Sequence, residues 1–313
     1  MHISIQFVLV RAAGFAICGL LSLSATAQTY AGGQKPKDLP SDSASMGIAE
    51  QMADLLSVAK DSGEVLLLWA QIKSGKREAV PDLIALARDG NPRAQNVVGY
   101  MFDNGEGVQA DPKKAVSYFK AAAEKFPLAK YNLGVMTLYG RGTKQDEVQA
   151  MQLFRDSAIS AGIEQACVQL ALYHLKKNEL DDALKWANEG SNRGSVKSFY
   201  LLGRVLYQQQ KFAEAATWLQ KAAAASEPNA PAVISMMYRD GKGLGKSPTM
   251  GAAWWLIYTS YSRKQIGNQL AGVQSFHLTE EEQRRAIAFA NNWLSTHGVE
   301  RKVDYRKTLL QAK

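Results

Sequence analysis

From about Met46 to Ser262, apolar residues return every three to four positions, alanine and leucine are abundant, and no stretch alternates with the period of two that a half-buried strand needs. The pattern predicts an all-α chain. The apolar faces also recur at long range. At a constant shift of 35, Ala94, Gly99, Gly105, Gly107, Asp111, Ala115 and Phe119 meet Ala129, Gly134, Gly140, Gly142, Asp146, Ala150 and Phe154. At a shift of 136, Ala94, Gly105, Gly107, Pro112 and Phe119 meet Ala230, Gly241, Gly243, Pro248 and Trp255. Two stretches between them keep the apolar pattern without the glycine loop and are about four residues shorter there. One carries Ala166, Ala171 and Ala183, the other Ser198, Gly203, Ala215 and Leu219. Upstream, "GKREAVPDLIALARDG" reads as the second helix of a further unit, with Glu64 to Lys73 as its first. The chain therefore holds five to six helix pairs.

Each unit has a local logic. The first helix, such as Arg93 to Asn104, ends at a glycine free to take the left-handed conformation, and a second glycine lets the chain turn back. Asp111, Asp146 or Ser247 then caps the second helix, with Pro112 and Pro248 at its first position, where a missing N–H costs nothing. Ala94, Gly99 and Ala115 are small enough for the helices to approach closely, and Phe119, Phe154 or Trp255 is expected to fill the space between them. Beyond the repeats, "HLTEEEQRRAIAFANNWLSTHG" predicts one more helix, with Thr279 and Glu282 as a capping box and Ile287, Ala290 and Leu294 as its apolar stripe. A terminal repeat needs its open face covered, and this helix is placed to cover it.

The motif Ala-x4-Gly, then Gly-x-Gly, then Ala-x3-aromatic over about 35 residues resembles that of the Sel-1-like repeat family, relatives of the tetratricopeptide repeats. The resemblance covers roughly Glu64 to Ser262, and the units at Ala166 and Ser198 are closer to ordinary tetratricopeptide repeats. It implies a right-handed α/α superhelical solenoid with a C-terminal capping helix. It also implies a concave side lined by the first helices, at positions two, six and nine after the signature alanine. In this sequence those positions are Asn96, Tyr100, Asp103; Tyr131, Val135, Leu138; Val168, Leu172, Leu175; Tyr200, Arg204, Tyr207; and Ala232, Met236, Arg239. Tyrosine and arginine are common interface anchors, which makes this face the candidate partner-binding groove.

The chain opens with one cation, Arg11, an apolar run from Ala12 to Leu23 that is too short for a comfortable membrane span, and the small-x-small site Ala25-Thr26-Ala27. A cleavable signal over residues 1–27 is expected, then a Gly-, Pro- and Ser-rich leader over 28–45, a solenoid over 46–262, a connector and capping helix over 263–298, and a tail over 299–313. No later apolar run reaches the length of a membrane span, so the expectation is a periplasmic or secreted protein without an integral segment after cleavage. Cys18 would leave with the signal, so Cys167 cannot belong to a disulfide framework. The 37 Lys+Arg against 29 Asp+Glu are a moderate excess scattered along the chain, and nucleic acid is not an expected partner.

Candidate chemistry is sparse. "DGKGLGKSP" resembles a phosphate-binding loop, but Gly241 and Gly245 are three residues apart instead of four, and its counterpart "NGEGVQADP" keeps the glycines and proline without either lysine. The stretch reads as a repeat loop, with Lys242 and Lys246 as solvated charges. His174, His277 and His297 stand without paired cysteines or an HExxH motif, and no GxSxG is present, so neither a metal, a cofactor nor a catalytic role is expected. His174 is expected to be a half-buried histidine with a backbone partner. The sequence thus points to a non-enzymatic scaffold or adaptor for a protein or peptide. The family resemblance implies two alternatives: an immunity or inhibitor protein against a secreted toxin, and a β-lactam-binding or hydrolysing enzyme. The second is described for relatives that staple each repeat with a disulfide, which one mature cysteine cannot do.

Overall fold

The computed structural model describes residues 62–261 and 272–299. The expected signal and leader, residues 46–61, most of the connector and the tail beyond residue 299 lie outside the described residues. Six antiparallel helix pairs follow one another: α1 (62–73) with α2 (Ala79–Arg88), α3 (Pro92–Asn104) with α4 (Pro112–Ala123), α5 (Pro127–Tyr139) with α6 (Glu147–Ala161), α7 (Glu164–Lys176) with α8 (Leu180–Asn192), α9 (Val196–Gln208) with α10 (Phe212–Ala224), and α11 (Ala230–Asp240) with α12 (Pro248–Tyr261). A last helix, α13 (Glu280–Thr296), packs on α12. The described residues contain no strand. Each helix packs chiefly on its chain neighbours, as a solenoid requires.

The helix starts are chemically specified. Asn91 accepts from the N–H groups of Arg93 and Ala94, Asp111 from those of Lys113 and Lys114, Asp146 from Gln149, and the Ser247 hydroxyl from Met250. Thr279 and Glu282 close the predicted capping box, and Ile287, Ala290 and Leu294 are buried under α13. The N–H bonds that Asp111 accepts hold its carboxyl below the ordinary aspartate range.

Of the two loop glycines, Gly105, Gly140 and Gly241 end their helices in the left-handed conformation, at φ of 72, 66 and 68°. The second one does more than turn the chain. A Cβ on Gly142 would lie 2.1 Å from the Pro112 carbonyl oxygen, and one on Gly243 would lie 2.3 Å from that of Phe212. A Cβ on Gly107 would press on Ile72 and Val80. Each Gly-x-Gly loop therefore rests on the preceding unit, twice directly on the first residue of its second helix.

The two shortened units turn without glycine. Asn178 and Gln210 hold φ of 60 and 63°, a region that disfavours side chains with a Cβ and penalises asparagine least. Gln210→Gly is accordingly expected to stabilise the protein by about 0.5–1 kcal/mol in urea unfolding, and Asn178→Gly by less. A loss on Gln210→Gly would mean that the side chain is held by contacts stronger than its backbone strain.

Between the helices of a unit, a small residue faces a large one. A Cβ on Gly99 would overlap the Phe119 ring, one on Gly134 the Phe154 ring, and one on Gly203 the Leu219 side chain. The last pair departs from expectation. Trp255 stays half-buried, while Trp254 is buried against Phe289 and Trp293 of the capping helix, at ring separations of 6.0 and 5.4 Å. Ser235 stands where Gly99, Gly134 and Gly203 stand in their units and donates to the Gly251 carbonyl, and Phe276 is the ring that closes over Gly251.

Candidate functional site

First helices of neighbouring units meet, α7 and α9 most directly. The residue two places after the signature alanine meets the residue three places after it in the next unit. Asn132 donates to Asn96 at 2.8 Å, and Tyr131 shares a hydrogen bond with Gln169. This seam explains the burial of two predicted groove residues, Asn96 and Tyr200, which are only 7% and 9% exposed. Leu175 is buried as well. Burial raises the Tyr131 and Tyr200 hydroxyls above the ordinary tyrosine range, and the neighbouring Arg204 opposes the shift at Tyr200.

The remaining predicted residues keep open surface. Tyr100, Asp103, Val135, Leu138, Arg204 and Tyr207 are half-buried, and Met236 and Arg239 are exposed. Tyr100 meets Trp69 edge-on at 5.7 Å and bonds Glu106, and burial raises its hydroxyl pKa. Asp103 pairs with Arg141 at 3.1 Å, yet desolvation still pushes its carboxyl above the usual range. Tyr207 packs on Phe212, and Arg239 is held by Asp240 at 2.8 Å.

One set of residues escaped the helix-based reading: the middle residues of the three Gly-x-Gly loops. Each reaches back to the preceding unit. Glu106 pairs with Lys73 at 2.9 Å, Arg141 with Asp103 at 3.1 Å, and Lys242 lies over the rings of Tyr207 and Phe212 at 5.7 and 5.5 Å. The signal was present in the constant loop register, but the contact crosses units. Lys242, expected as a purely solvated charge, is exposed but also makes these two cation–π contacts.

Other chemistry is limited. His174 is buried, and its Nδ1 bonds the Glu179 carboxylate at 2.6 Å rather than the expected backbone group. Asp182 brings a further oxygen to within 4.8 Å of both ligand atoms, and its side chain and that of Glu179 are exposed. The arrangement joins the end of α7 to the start of α8. Cys167 is fully buried, and burial pushes its thiol up to about 11, which keeps it a packing residue and not a nucleophile. No described helix is long and apolar enough to cross a membrane.

The Sel1 repeat profile matches residues 92–125, 127–158 and 232–257, and a tetratricopeptide repeat profile matches residues 168–230. The two profiles divide the chain as the loops do, with the tetratricopeptide match over the shortened units. Among solved structures, c5321, a protective antigen of uropathogenic Escherichia coli displaying an SLR fold, is similar with a TM-score of 0.69 at 20% identity, over 81% of this chain and 56% of that one. This chain thus spans little more than half of that antigen. A Sel1 repeat protein from Oxalobacter formigenes is similar with a TM-score of 0.60 at 21% identity, over 75% of this chain and 98% of that one. No curated protein matches. The profiles and the shared fold support the repeat family.

Proposed function

We propose that this Sel1-like and tetratricopeptide-like solenoid is an exported, non-catalytic scaffold that holds a protein or peptide along the inner face of its first helices. The observation that carries this reading is the set of Val135, Leu138, Arg204, Tyr207, Met236 and Arg239, open or partly open residues of mixed apolar, aromatic and cationic character at one register of the first helices α5, α9 and α11. Tyrosine and arginine give large contact area with directional donors, and a rigid solenoid presents them at little ordering cost. Repeat solenoids commonly work this way. Export rests on the N-terminal signal read in the sequence.

The test is partner capture with Arg204→Ala, Tyr207→Ala and Met236→Ala combined. Tyr200 and Asn96 are left intact, because their burial would confuse binding with folding. Crosslinking in the native cell followed by mass spectrometry should lose its main partner on this triple change while far-UV circular dichroism is unchanged. Undiminished recovery with intact helicity would remove the inner face from the account.

A further inference from the structure

The three Gly-x-Gly loops put a charged residue in the same place three times, and its compensation differs. At the first two seams the charge is neutralised by the preceding unit, Glu106 by Lys73 and Arg141 by Asp103. At the third, Lys242 faces two aromatic rings, and among the described residues no carboxylate lies within ion-pair distance of it. The adjacent carboxylate, Asp240, is taken by Arg239 and is held below the usual aspartate range by that bond, with Lys242 and Lys246 adding to the effect. Arg204, over the Tyr200 ring at 5.7 Å, adds a further cation. Tyr207 lies under Lys242, and Met236, 42% exposed, sits one turn before Asp240 on α11.

We infer that this third seam binds an acidic segment of the partner protein, with carboxylates on Lys242, Lys246 and Arg204 and an apolar side chain against Tyr207 and Met236. Charge complementarity selects the occupant: Lys242, Lys246 and Arg204 make no ion pair among the described residues, at a position where the sister seams carry their own counter-charge. A basic or neutral segment would leave the excess uncompensated. The inference rests on the scaffold reading and names the chemistry of its partner.

The test uses the full chain after signal removal and a short fluorescein-labelled peptide alternating glutamate and leucine, followed by anisotropy. The peptide should bind, weaken as salt is raised, and lose about tenfold in affinity on Lys242→Glu with Lys246→Glu, since exposed charge contacts are individually weak and screened by salt. The same net charge change on α4, Lys113→Glu with Lys120→Glu, should leave affinity within about twofold. Equal losses for the two pairs would reduce the effect to overall charge and overturn the inference. So would tighter binding of a lysine–leucine peptide, or no binding of the acidic one. If the seam reversal is silent but Tyr207→Ala weakens binding, the inner face stands and its acidic specificity fails. If both are silent, the inner face fails with it.

Discussion

Gly142→Ala should destabilise the protein by roughly 3–5 kcal/mol, whereas Gly140→Ala, two residues earlier and at nearly the same backbone angle, should cost about 1–2 kcal/mol. Both glycines hold positive φ, 68 and 66°, so both substitutions carry the same local penalty. They differ in what the new methyl meets. At Gly140 it approaches the Gln145 Cβ at 3.1 Å, a contact relieved by a shift of a few tenths of an ångström; at Gly142 it lands 2.1 Å from a carbonyl oxygen fixed at the start of α4. The loop must lift or the seam between units must open, and the Arg141 to Asp103 ion pair is pulled with it. Urea unfolding followed by circular dichroism measures the difference, and hydrogen exchange should place the lost protection on α4 and α5. Equal costs at the two glycines would show that the seam tolerates displacement and that the close approach contributes little.

Phe154→Ala carries the second large effect, a loss of about 3–5 kcal/mol, because the ring is fully buried and its removal leaves a cavity between α5 and α6. The coupling to its neighbour is more informative. Gly134→Ala alone should cost about 1–3 kcal/mol, since the new methyl sits 2.7 Å from the Phe154 ring. In the double variant the methyl enters the space the ring has left, so the combined loss should fall short of the sum by more than about 1 kcal/mol. Four proteins in one unfolding series settle it. An additive result would mean that the ring moves aside freely, contrary to a packed contact.

Much of this architecture was legible from residue spacing. The caps at Asp111, Asp146, Ser247 and Thr279, the helix-ending glycines and the pairing of Gly99 and Gly134 with aromatic residues follow from local chemistry, and local chemistry repeats visibly along a chain. Features that depend on the neighbouring unit were harder to see. Trp255 matches Phe119 in register, but the last unit exchanges its small residues to Ser235 and Gly251, which admits Phe276 from outside the repeat and leaves Trp254 to meet the cap. The inner-face positions were located by register, but register does not separate a residue caught in the seam, as Asn96 and Tyr200 are, from an open one such as Met236. That separation is decided by how far the next first helix advances. The middle loop residues share a visible register, but their contacts were missed for the same reason: a lysine over two rings from another unit looks, in one dimension, like any surface lysine.

The seating of each glycine loop on the unit before it gives the array a direction. A unit with this loop carries a plug at one end and a socket, the start of its second helix, at the other, so a tandem copy arrives with both halves of its joint and can extend the stack without redesign. The units of α7 to α10 have lost the plug; their corners reach back by side chains instead, as Gln209 does to Asp181 at 3.3 Å. Copying would therefore lengthen the chain most readily at its two loop-bearing ends, while the middle units, whose first helices α7 and α9 meet directly, hold their register by helix packing instead.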